Sequence, residues 1–98
     1  MDEIPDDQLT FAAIPRPDAD WDEIGAFALT IDGYERAGSF EALAEIANAR
    51  RRASLADLRM CLFFEQRRWR HFGDEPDEDG MQYIRELVCL IRHSVAHR

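Results

Sequence analysis

The segment from Leu55 to Gly73, LADLRMCLFFEQRRWRHFG, preceded by Ser54, constrains the fold more than any other part of this chain. Its first half carries Leu55, Leu58, Met60, Leu62, Phe63 and Phe64; its second half carries Arg67, Arg68, Trp69, Arg70, His71 and Phe72. A surface helix keeps its apolar residues on one stripe. Here they run nearly all round the first turns, and arginines flank a tryptophan at the end. The pattern predicts a helix that passes through the core and emerges where guanidinium and aromatic groups meet solvent.

The remaining segments read as helices around that rod. Asp18 is a candidate N-cap for a first helix, with Asp20, Asp22 and Glu23 in its electropositive first turn. Trp21, Ile24, Ala28 and Ile31 recur at helical spacing, Phe27 widens the stripe, and Gly33 supplies a C-terminal stop. Ser39 opens a second helix with Phe40, Leu43, Ile46, Ala47 and Ala44 on its inner face, running into Arg50, Arg51 and Arg52. Ser54 caps the third helix and Gly73 ends it. The acidic linker around Pro76 starts a fourth, whose seam is Met81, Ile84, Val88, Ile91 and Val95, broadened by Tyr83, Leu87 and Leu90. No strand-like alternation and no internal repeat occurs. The expected fold is all-α, a compact four-helix bundle or orthogonal helical array, with the third and fourth helices as the central hairpin. Residues 1–17, with Pro5, Pro15 and Pro17, read as an extended acidic N-terminal arm, and residues 18–98 as a single helical domain. Leu9, Phe11 and Ile14 allow the arm to lie on the body.

On the third helix, Met60, Phe63 and Phe64 point away from the stripe of Leu55, Leu58, Leu62 and Trp69. The arm or a second subunit is expected to cover that side, and a homodimer is the favoured form.

Charge is distributed unevenly. The chain has 20 acids and 12 bases, a net charge of −8, and every base is arginine. Residues 1–48 hold twelve acids and two arginines, a net of −10; residues 49–72 hold seven arginines and two acids, a net of +5. Either the two blocks pair within the fold or across a dimer, or one of them meets a partner. Two candidate binding faces result. The acidic face, Asp18, Asp20, Asp22 and Glu23, suits a basic protein, as in inhibitor, immunity or adaptor proteins whose carboxylates imitate a phosphate track. Alternatively, Arg67, Arg68, Trp69 and Arg70, with Arg50 and Arg51, would clamp a nucleotide or nucleic acid by stacking and guanidinium forks. The overall negative charge and the apolar start of the third helix weigh against nucleic acid.

Other chemistry is poorly represented. Glu65 falls within the apolar stripe and requires a partner, with Arg68, Arg85 and Arg92 as candidates. Cys61 and Cys89 read as reduced thiols, Cys89 at the polar edge of its helix. Cys89, His93 and His97 repeat at four-residue intervals, but the outer two stand about 12 Å apart along a helix and cannot share one ion. A phosphate loop, nucleophile elbow, CxxC pair and HExxH motif are all missing, so no catalytic residue, metal or cofactor is expected. The acidic N-terminus and the lack of a membrane-length apolar run predict a cytoplasmic protein.

Overall fold

Local signals place the helix boundaries. In the computed structural model, which describes residues 3–31, 40–73 and 75–98 except the Phe40 side chain, four helices form. They are α1 (Trp21–Ala28), α2 (Phe40–Asn48), α3 (Leu55–His71) and α4 (Glu78–Ala96). Among the described residues, single 3₁₀ turns at Asp6–Gln8 and Phe11–Ala13 precede α1, another at Arg50–Arg52 joins α2 to α3, and there is no strand. The expected caps at Gly33 and Ser39, the turn over 32–39 and the place of Phe40 on the inner face of α2 lie outside the described residues.

Three side-chain caps satisfy N–H groups that a helix start leaves unpaired. Asp20 accepts from the Glu23 amide at 2.9 Å, Ser54 from Asp57 at 3.2 Å and Asp77 from Gly80 at 2.7 Å. The cap of α1 is therefore Asp20 and not Asp18, whose carboxylate lies 3.4 Å from Arg16 in the turn before it. Gly73 ends α3 with φ +72°, a backbone region open to glycine at little cost.

As expected, α3 and α4 form the central pair. Leu58 and Leu62 of α3 meet Ile84, Leu87, Val88 and Ile91 of α4, and Ile24, Phe27 and Ala28 of α1 close the cluster. Seven of its side chains, including Leu62, Leu87 and Ile91, are sealed from solvent. Each such side chain contributes about 1.5–3 kcal/mol against exposure. Leu9 and Ile14 belong to this cluster too, so the N-terminal segment is folded onto the body as part of the core.

Arginine fixes that segment. Arg59, in the middle of α3 and buried, donates to the Ile4 carbonyl at 2.7 Å, the Asp6 carboxylate at 2.8 Å and the Thr30 hydroxyl at 3.1 Å. Arg92 donates to the carbonyls of Ile14 and Pro15 and stacks over Phe11, and Arg98 donates to those of Asp6 and Leu9. Part of the basic block is thus spent inside the fold.

The far side of α3 has a different cover from the one expected. Met60 and Phe63 pack with Ile31, beside Leu29 and Leu43. The residues following α1, together with α2, close this face, and the N-terminal segment lies on the main cluster instead. Of the three residues expected to need a cover, Met60 and Phe63 are buried here, while Phe64 is half-buried. No helix among the described residues is long and apolar enough to cross a membrane.

Candidate functional site

The candidate site lies where α2 faces α3 and α4. There α2 presents Leu43, then Ala44 and Ala47. Ala44 is exposed and Ala47 half-buried. Two methyl groups are too short to span the gap to Phe64 and Tyr83, and a groove of about 870 Å³ remains. That lies within the roughly 300–1,000 Å³ of ligand-binding clefts. Cys61 and Tyr83 form the deep end. Phe72, 64% exposed, stands at the other end beside Arg67, Arg68 and His71.

Glu65 is the acid in this wall. Burial pushes its carboxyl above the usual carboxylate range, while Arg68, with a nitrogen 3.9 Å from the carboxylate, and Trp69 oppose the shift. Of the three arginines proposed as partners, Arg68 is the one that meets it. Burial also raises the Cys61 thiol, against the influence of the neighbouring Tyr83 hydroxyl, and Tyr83 is itself pushed up chiefly by burial. A thiol so held is protonated and a poor nucleophile at neutral pH. Cys89 is exposed, and both cysteines are free.

The six arginine and tryptophan positions singled out in the sequence do not converge. Arg67 and Arg68 are exposed at the groove mouth, over the rings of Phe63 and Trp69 at 5.8 and 5.3 Å. Arg70 is absent from the groove and lines two clefts on the α1 side of α3, one with Trp21 and Gln66 and one that Arg67 and His71 also border. Trp69 points inward. It packs on the main core, and its indole Nε1 is shut off from solvent without a hydrogen bond, although close enough to help hold the Glu65 charge. Arg50 grips Glu86 with Nε–Oε1 at 2.7 Å and Nη2–Oε2 at 3.1 Å, and its guanidinium lies over Tyr83. Arg51 is exposed, with its Nε 4.0 Å from the same carboxylate.

The acidic positions Asp18, Asp20, Asp22 and Glu23 are all exposed around the start of α1. Two are committed locally, Asp20 to the cap and Asp18 to Arg16. At the C-terminal end of α4 the rings of His93 and His97 stack at 4.1 Å, with His97 Nδ1 2.9 Å from the His93 carbonyl. Among the described residues no three His, Cys, Asp or Glu side chains are grouped to hold a metal ion.

Sequence reasoning missed the groove. Its one sequence signal is the pair Ala44 and Ala47 on the face that α2 turns to the core, where larger side chains would have filled the space. No protein-family model, no curated protein and no solved structure matches this chain.

Proposed function

We propose that this chain is a small protein-interaction module whose binding face is the groove between α2, α3 and α4. The carrying observation is the apolar channel left open beside Ala44 and Ala47, with Phe72 exposed at its end. Contiguous exposed apolar surface marks sites of association, and a channel beside helices receives the apolar face of another segment. Binding is the reading favoured by a mostly apolar lining, in which the Cys61 thiol is held protonated and poorly nucleophilic. We favour this groove over the acidic start of α1, where Asp22 borders a smaller cleft of about 490 Å³ and Asp20 and Asp18 are engaged locally. The nucleotide reading is weaker, since Trp69 is half-buried against the core and Arg68 already lies over its ring.

A display library of 16-residue segments tests this function. Selected segments should carry large apolar residues at helical spacing and lose binding to Ala47→Trp, a substitution that fills the groove from the α2 side. Far-ultraviolet circular dichroism of that variant should match the parent. Failure to enrich any segment, or equal binding by the filled variant, would overturn the proposal.

A further inference from the structure

We infer that the occupant of the groove is an acidic amphipathic helix of a partner protein, its apolar stripe on Leu43 and Phe64 and its carboxylates against Arg67, Arg68 and His71. This rests on the groove being a protein-binding face and adds the chemistry of the partner. The channel runs along α3 from Cys61 to His71, about 15 Å at the helical rise. That length takes nearly three turns of a helix, enough for anchors at i, i+4 and i+7.

Charge complementarity settles the sign. Of the ionisable groups lining the groove, Arg67, Arg68 and His71 stand at one end, and Glu65, with 14% of its side chain exposed, is the acid among them. Arg68 is 61% exposed and only loosely engaged with Glu65, so its guanidinium keeps donors for an incoming carboxylate. Arg67 lies over Phe63 with its charge at the surface. A basic segment would bring like charge against this end and leave its own cations without partners. The net charge of −8 repels an acidic partner at a distance, but at physiological salt the Debye length of about 8 Å confines that repulsion, and the rim decides the outcome. The opposite end has Arg50 already committed to Glu86, so the cationic rim is one-sided. The occupant should therefore carry its acids toward one terminus.

The test uses the apolar motif recovered from the display selection, synthesised with three flanking Glu, three Gln or three Lys and labelled with fluorescein. At 0.15 M salt the Glu peptide should bind the parent protein about tenfold more tightly than the Gln peptide, and the Lys peptide more weakly still. Arg67→Glu should abolish or reverse the order while its circular dichroism stays unchanged, and Arg67→Gln should weaken it; at 0.5 M salt the three affinities should converge. Equal affinities, or preference for Lys, would overturn the charge inference while leaving the groove reading intact. No selectable motif at all would overturn both. Light scattering that gives twice 11.4 kDa, reverting to one chain in Ala47→Trp, would assign the groove to a second copy and overturn the inference.

Discussion

A guanidinium nitrogen of Arg59 lies 2.8 Å from the Asp6 carboxylate, and the Arg59 side chain is only 2% exposed. The same group donates to the Ile4 carbonyl and the Thr30 hydroxyl, while Thr30 in turn donates to Phe27 O at 2.7 Å. One side chain from the middle of α3 thus joins the N-terminal segment to the residues following α1. Truncation would leave a half-buried carbonyl and carboxylate without this donor. Arg59→Ala should therefore cost about 3 kcal/mol, read as the shift in urea unfolding. Arg59→Met, which keeps most of the packing, should cost less. Limited proteolysis should cut the alanine variant first before residue 15. A loss below about 1 kcal/mol would refute this role.

Gly80 permits the inward set of Trp69. A Cβ at position 80 would sit 2.7 Å from the indole Cζ2. Alanine in a helix ordinarily gains about 1 kcal/mol over glycine. Here overpacking of about 1–3 kcal/mol opposes that gain. Gly80→Ala should destabilise by about 1 kcal/mol in the parent and become stabilising in a Trp69→Leu background. Thermal melts of the double-mutant cycle measure the coupling. Stabilisation by Gly80→Ala in the parent would show that the indole yields freely.

Glu65 makes the groove wall less stable as pH rises. Its pKa is raised chiefly by burial, so its contribution to stability is fully present below the unfolded value of 4.5 and is lost as pH rises through the folded value. Glu65→Gln should be more stable than the parent at pH 7, and the difference should vanish as the pH falls below 4.5. Chemical unfolding at a series of pH values checks this. A difference independent of pH would show that the carboxyl keeps its ordinary affinity for protons.

Glu86 should behave with the opposite sign. The Arg50 hydrogen bonds lower its pKa, so its contribution is present above the unfolded value of 4.5 and is lost as pH falls through the folded one. With side chains 29% and 31% exposed, the pair is partly screened. Glu86→Gln should cost about 1 kcal/mol at pH 7 and approach the parent in acid. The same pH series, run beside Glu65→Gln, should show the two differences with opposite signs; a shared sign would refute at least one assignment.

Short-range chemistry explains why much of the architecture was legible. Ser54, Asp57 and Gly73 bound α3, and the apolar seam of α4, with Ile84, Val88, Ile91 and Val95 buried, follows from helical spacing. The start of α1 was misjudged by two residues because Asp18 and Asp20 are both competent caps. Only Asp20 has its carboxylate beside a free amide, while Asp18 is engaged by Arg16. The site was far less legible. Arg67, Arg68 and Arg70 are consecutive or nearly so, yet 100° per residue sends Arg70 to a different cleft and turns Trp69 into the core.

By itself, the sequence determined the all-α class, the Ser54 and Gly73 ends of α3 and the central pairing of the two longest helices, because those depend on neighbours within a few residues and on which side chains avoid water. Only the tertiary structure decided where the charges went. Arg59 became an internal clamp, Arg50 met Glu86 across 36 positions, and two alanines on α2 left a groove open. Each depends on distances between segments far apart in the chain, and a guanidinium can pair with any carboxylate or carbonyl that packing brings within reach.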